Sequence, residues 1–200
     1  MPAPIEFFFD FASPYAYFAA HRIDAIAAKH GREVEWRPFM LGAAFKATGM
    51  MPLTEQPLRG DYARRDWDRL ARRMNLPFVL PERFPIVTLA AARAFYWLAD
   101  RDRPLANAFA LRMFQAYFGA GRDVTAPEAV AAEGATLGIP ATELVAATAD
   151  PVWKAKLKEA TDEALRRGAF GSPFTFVDGE PFWGNDRLDM VDDWLSAGGW

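Results

Sequence analysis

The chain has 200 residues, 52% of them hydrophobic, with 17 Phe and 7 Trp; this is enough apolar material for one compact domain, or one domain with a large insertion, and it excludes a disordered chain. Its net charge of −3 comes from acids and bases interspersed along the sequence, which leaves no basic stripe and argues against a nucleic-acid partner. There is no Cys, so the chain has no disulfide, no zinc–thiolate site and no thiol nucleophile of its own, and any sulfur chemistry must arrive with a ligand.

The opening Met1-Pro2-Ala3-Pro4-Ile5-Glu6 lacks the basic segment and apolar run of a secretory signal. No later stretch reaches the roughly 20 apolar residues that span a bilayer. A cytoplasmic protein with no membrane partner is expected.

Ile5 to Phe11 is a short run rich in β-formers, and its lack of alternation predicts a strand buried on both faces. Ser13-Pro14 breaks the run, with Ser as a helix N-cap and Pro in the first turn, and helical periodicity from Tyr15 to Lys29 ends at His30-Gly31. Glu33 to Phe39 is a second strand, so the first third of the chain predicts a right-handed βαβ unit. From Leu41 the β pattern disappears for more than half the chain. Helices are predicted over Asp61–Met74, Ile86–Arg101, Pro104–Ala120, Pro127–Leu137, Pro140–Ala149 and Pro151–Arg167, several of them opened by Pro. Phe174–Val177, the turn Asp178-Gly179 and Pro181–Trp183 predict a hairpin, and Arg187–Leu195 a last helix.

Three places carry candidate chemistry. Ser13 stands where a helix starts directly after a central strand, so it either caps that helix or offers its hydroxyl proton to an anion such as a thiolate. In Gly171-Ser172-Pro173-Phe174, Pro173 is either a plain edge-strand proline or follows a cis bond that leaves the Ser172 backbone free to pair with an extended peptide. Asn185 or Asp186 either caps the last helix or, with the N–H groups there, holds an α-amino-acid end of a ligand. His21 and His30 have no acidic partner at metal spacing, so no metal site is expected. The charge runs at residues 64–69 and 154–159 read as solvated helix faces.

Three stretches stand out together: Phe8-Phe9-Asp10-Phe11-Ala12-Ser13-Pro14-Tyr15-Ala16-Tyr17, residues 168–174, and Asp178-Gly179-Glu180-Pro181-Phe182-Trp183-Gly184-Asn185-Asp186-Arg187. Through them the chain resembles, across nearly its whole length, the 2-hydroxychromene-2-carboxylate isomerases, which are similar to kappa-class glutathione transferases and more distantly to bacterial disulfide oxidoreductases. The resemblance implies an α/β, thioredoxin-like fold (βαβ…ββα) over 1–45 and 150–200 with an all-helical insertion at 46–149, a cis Pro173, and Ser13 in place of the first redox cysteine. It further implies glutathione as cofactor, with Ser13 at its sulfur, Ser172 and Pro173 at its cysteinyl backbone, Asn185, Asp186 and Arg187 at its γ-glutamyl end, and Arg59 near its glycyl carboxylate. Met50 stands where many relatives have an Asn that contacts this ligand. The implied partner is a small aromatic carboxylate, interconverted between 2-hydroxychromene-2-carboxylate and trans-o-hydroxybenzylidenepyruvate by thiolate addition, bond rotation and elimination, in a homodimer. Trp36, Phe39, Tyr62, Trp67 and Phe182 are candidates for an aromatic pocket wall, with core packing the alternative for each. A kappa-like transferase and a noncatalytic thioredoxin-like binding protein are the rival readings.

Overall fold

The computed structural model describes residues 3–200. A four-stranded sheet of order β2-β1-β3-β4 is formed by β1 (Ile5–Phe9), β2 (Val34–Pro38), β3 (Phe174–Val177) and β4 (Glu180–Trp183). β1 and β2 run parallel, while β3 is antiparallel to both β1 and β4. Between β2 and β3 the chain contains no strand, and the Ser172–Pro173 peptide is cis, as expected for a thioredoxin-like fold. A second cis bond, Phe84–Pro85, lies in the helical stretch and was not anticipated.

The apolarity of β1 at every position but Glu6 follows from its place in the sheet. Successive side chains of a strand point to opposite faces. Phe7 and Phe9 enter the larger core, where Phe9 has the rings of Trp36, Phe11, Phe95 and Phe114 within 5.1–5.9 Å. Phe8 points the other way, onto Phe39 and Phe176 in a smaller cluster that also contains Ala44, Ala164, Ala169 and Phe174. Helix α9 (Pro151–Arg166) covers that second face, and Arg167 just beyond it lies 3.9 Å over the Phe176 ring while bonding Glu6 of β1 at 2.6 Å.

The expected helix from Tyr15 to Lys29 is two helices, α1 (Pro14–Ala20) and α2 (Ile23–Lys29). The break falls at two side chains with other commitments. His21 Nδ1 donates to the Tyr17 carbonyl at 2.8 Å, and the Arg22 guanidinium reaches the Asn185 carbonyl at 3.0 Å. A helix absent from the sequence expectation, α3 (Leu41–Thr48), follows β2; no side chain of its own caps it, and the Leu41 and Met40 N–H groups instead donate to Asp10 and Thr161. After it come α4 (Arg59–Met74), α5 (Leu89–Ala99) and α6 (Arg103–Phe114), the last running into a π-turn at Gln115–Gly119. α5 starts three residues later than the sequence suggested, because the chain through Phe84–Pro85 is spent placing Phe84 against Trp67 and Phe118. Helices α7 (Pro127–Ala135) and α8 (Ala141–Ala149) precede α9, and α10 (Leu188–Ala197) closes the chain behind a short 3₁₀ turn at Asn185–Arg187.

Since Phe9 is fully buried among aromatic rings, Phe9→Ala leaves a cavity that rigid neighbours cannot close. The expected cost is about 3–5 kcal/mol of unfolding free energy, read by chemical denaturation with an unchanged dependence on denaturant concentration.

Candidate functional site

The site is assembled from the carboxyl end of β1 outward. Beyond Phe9 the chain turns at Asp10–Ser13, and the Ser13 N–H closes the turn on the Asp10 carbonyl at 2.9 Å. Ser13 is extended and is the N-cap of α1: its Oγ accepts from the Ala16 N–H at 3.2 Å. The capping role is therefore present. The same oxygen has one proton to give, and it donates it to the Ser172 carbonyl at 2.8 Å. α1 has only seven residues, so any helix-terminus field at Ser13 is that of about two turns, and the hydroxyl is the principal donor there.

Ser172 is tied to this turn twice. Besides the bond from Ser13, its own Oγ accepts from the Asp10 N–H at 2.9 Å. Its carbonyl has the Ser13 hydroxyl as partner, and among the described residues its N–H has none. Ser13 and Ser172 are 4% and 8% exposed, so these polar groups stand at the edge of solvent without being bathed in it. The next carbonyl, of Pro173, accepts from the Gly184 N–H at 3.0 Å, bringing the Gly184–Arg187 segment alongside. Gly184 has φ +109°, a backbone conformation that residues with a Cβ rarely adopt, so this turn requires glycine.

Neither Asn185 nor Asp186 caps the last helix. Asn185 is buried, and its carbonyl and Oδ1 accept from Arg22 at 3.0 and 3.3 Å, which locks this segment to the α1–α2 junction. The Asp186 carboxylate is exposed and accepts from Arg187 Nη1 at 2.8 Å. Arg59 is the first residue of α4, exposed and bonded to Gln56 at 3.2 Å rather than to the Ser13 turn. Met50 is 38% exposed in the segment after α3.

The aromatic candidates divide. Trp36 and Phe39 are core residues: the Trp36 indole donates to Asp24 at 2.9 Å under the Phe7 and Phe9 rings, and Phe39 packs beneath Phe8. Phe182 is buried against Trp194. For Trp36 and Phe39 the structure shows core packing, not a pocket wall; Phe182 packs in the core and also borders a surface depression that lies away from Ser13. Trp67 is buried too, yet its ring edges the Tyr15 ring at 6.0 Å and its Nε1 has no partner among the described residues. Tyr62 is 61% exposed on α4, under the Arg69 guanidinium. Two surface depressions, of about 540 and 270 Å³, are bordered by Arg72 and Phe78 and by Trp183 and Trp200; neither includes Ser13.

Three residues have no role in the sequence reading. Tyr15 donates to Asp66 at 3.0 Å, and Asp66 accepts from Arg69 at 2.7 Å, so α4 is anchored to the first turn of α1. Burial first, then the Asp66 charge and hydrogen bond, and more weakly Tyr62 and Asp186, push the Tyr15 hydroxyl well above its usual range; Tyr15 is a neutral donor, not a phenolate. Asp10 is the third. Its Oδ1 accepts from the Ala12 N–H at 2.9 Å and the Thr88 hydroxyl at 2.8 Å, and its Oδ2 from the Leu41 N–H at 2.8 Å. A carboxylate directly after the apolar run Phe7-Phe8-Phe9 was the signal that could have marked it.

Among the described residues no group of three or more His, Cys, Asp or Glu could hold a metal ion, and no helix is long and apolar enough to cross a membrane. What this arrangement offers is one hydroxyl proton, one carbonyl and one unpartnered N–H, close together at the end of a strand. That set can hold an extended peptide-like ligand and place a hydrogen-bond donor on an anionic atom within it.

Residues 4–196 match the DSBA-like thioredoxin domain, and the chain belongs to that family. It is 28% identical over 197 residues to the 2-hydroxychromene-2-carboxylate isomerase of Sphingobium xenophagum, covering 98% of this chain and 99% of that one. It is 26% identical over 203 residues to glutathione S-transferase kappa 1 of Homo sapiens, covering 96% and 90%. The solved structure of a selenomethionine 2-hydroxychromene-2-carboxylate isomerase superposes with a TM-score of 0.88 at 25% identity, covering 98% of this chain and 95% of that one. The thioredoxin-like assignment made from the motifs therefore stands.

Burial pushes the Asp10 carboxyl above its ordinary 3.8, with the three donors opposing that shift. Because the folded value lies above the unfolded one, this group's contribution to stability is full below the unfolded value and is lost as pH rises through the folded value. Asp10→Asn does not titrate and sets an amide donor against one of the three donors. The gap between wild type and variant is expected to be widest, about 1–3 kcal/mol, at the acid end of that window and to narrow as pH rises. Denaturant unfolding across a pH series reads it; a gap that widens with pH contradicts it.

Proposed function

We infer that this protein is a glutathione-dependent isomerase of the 2-hydroxychromene-2-carboxylate type, acting in the cytoplasm as a homodimer. The observation that supports this most is the Ser13 hydroxyl, buried in the strand-to-helix turn and bonded to the Ser172 carbonyl, in a thioredoxin-like chain that contains no cysteine. Dithiol–disulfide exchange has no thiol to use here. A bound thiol ligand does, and the unpartnered Ser172 N–H and the rotatable Ser13 proton fit such a ligand.

Glutathione, when bound, supplies the thiolate that adds to the conjugated double bond of the ring-opened pyruvate and later leaves, so that it is not consumed. The chain's own residues hold and tune it. Ser172 and Pro173 present the backbone edge to the cysteinyl portion, and Ser13 directs its proton at the sulfur. Asn185 and the N–H groups around Arg187 take the γ-glutamyl carboxylate, Asp186 takes its ammonium, and Arg59 approaches the glycyl end. The aromatic carboxylate then lies between α1 and α4, with Tyr15 and Tyr62 as its walls and Trp67 behind them. The domain division at 46–149 belongs to this reading: the helical stretch supplies α4 and with it that wall. Met50 removes a polar contact at the ligand, and affinity for glutathione is correspondingly modest.

Incubation with 2-hydroxychromene-2-carboxylate, with and without glutathione, tests the assignment. Glutathione-dependent isomerisation with no loss of thiol supports it. Conjugation of a halonitrobenzene without isomerisation replaces it by a kappa-like transferase, and a folded protein that does not bind glutathione in calorimetry replaces it by a binding protein.

Two variants test the roles. Asp186→Asn removes one charge-assisted contact, generally about 1.5–3 kcal/mol, so the dissociation constant for glutathione should rise at least about tenfold at unchanged melting temperature. Ser13→Ala keeps affinity within a few-fold. A free thiol titrates near about 8.5, so without the hydroxyl donor only a few per cent of the bound thiol is ionised at neutral pH, and turnover falls accordingly. Equal rates for wild type and Ser13→Ala would leave Ser13 as a helix cap only.

A further inference from the structure

The Ser13 hydroxyl is already in use. It carries one proton, and that proton lies on the Ser172 carbonyl at 2.8 Å while its oxygen caps the Ala16 N–H at 3.2 Å. Directing the proton at a ligand sulfur therefore means taking it from Ser172. The carbonyl left behind belongs to a residue 8% exposed and has no second donor among the described residues. A buried carbonyl without a donor is costly, and that cost opposes the handover. Four donors of the surrounding network are committed elsewhere. The Asp10 N–H is held by the Ser172 side-chain oxygen, and the Ala12 and Leu41 N–H groups and the Thr88 hydroxyl are held by the Asp10 carboxylate.

We propose that the Ser172 carbonyl makes release of the Ser13 proton to a ligand sulfur conditional on an N–H donor carried by that same ligand. The inference rests on the thiol-binding reading above and narrows it to a class: thiols whose carbon chain bears an acylated amine, so that an amide N–H and the sulfur are presented together. The amide N–H takes the carbonyl, the hydroxyl turns to the sulfur, and the thiol proton leaves to water; no other bond changes. Simple alkyl thiols that reach the same turn leave the Ser13–Ser172 bond in place and gain no donor. Ser172 is thus a positioning residue that couples recognition of the peptide backbone to activation of the sulfur, and Ser13 keeps its capping bond to Ala16 throughout.

The test compares glutathione with its depsipeptide analogue, in which an ester oxygen replaces the amide N–H between the γ-glutamyl and cysteinyl units and everything else is kept. Thiolate absorbance in the ultraviolet is titrated against pH for each ligand at saturation, with calorimetry reporting affinity, on wild type and on Ser13→Ala. On wild type the bound glutathione thiol should titrate at least about one pH unit below the bound ester. The ester's affinity should be reduced by no more than about tenfold, since one neutral hydrogen bond is lost. On Ser13→Ala the two ligands should titrate alike, because there is no proton to release. Both thiols titrating alike on wild type would overturn the coupling while leaving the thiol-binding reading standing. Complete loss of ester binding would also overturn it, by making the amide a requirement for binding and not for activation. Failure of glutathione itself to bind would overturn that reading and the coupling together.

Discussion

The Asp10 carboxylate receives the N–H of Ala12, the N–H of Leu41 and the hydroxyl of Thr88, and the Asp10 backbone adds bonds to Ser172 and Ser13. Through one buried residue the end of β1 is joined to the start of α3, the start of α5 and the segment before β3. α3 is capped by no side chain of its own, and Asp10 takes the N–H of its first residue, while the Thr88 hydroxyl ties the residue before α5 to the same carboxylate. Burying a carboxyl is costly unless donors surround it, and here they come from segments distant in sequence. The position of Ser13 relative to Ser172 is a consequence of that arrangement.

Belonging to the DSBA-like thioredoxin family fixes the fold around the Ser13 turn, not the chemistry performed there. In this chain the group at that turn is a hydroxyl, with no thiol anywhere in the sequence. A hydroxyl in such a turn cannot exchange disulfides, but it is able to donate to an anionic atom, and here it is paired with the Ser172 carbonyl. The neutral, buried Tyr15 and its bond to Asp66 hold α4 against the same turn, so the sheet and the helical stretch meet beside Ser13.

The strand-to-helix turn was legible in the sequence because its determinants are local: a short apolar run rich in β-formers, then Ser13 and Pro14 in the order that starts a helix. The hairpin of β3 and β4 was legible for the same reason, through Asp178-Gly179 and the flanking aromatic residues. What could not be read were features fixed by distant partners. The break at His21 and Arg22 depends on Asn185, and α3 depends on Asp10 and Thr161. Trp36 and Phe39 carry the residue types of an aromatic pocket, but composition does not tell which face of which strand they join, and both lie in the core. That the Ser13 proton is committed to a carbonyl more than 150 residues away has no signature in the sequence.

A crystal structure of the protein with glutathione bound tests the central claim most directly, because the claim concerns where one proton is directed. The account predicts the ligand sulfur within hydrogen-bond distance of Ser13 Oγ, the ligand's cysteinyl N–H on the Ser172 carbonyl, and the Ser13–Ser172 bond opened. A ligand bound with its sulfur elsewhere and the Ser13–Ser172 bond intact would contradict it.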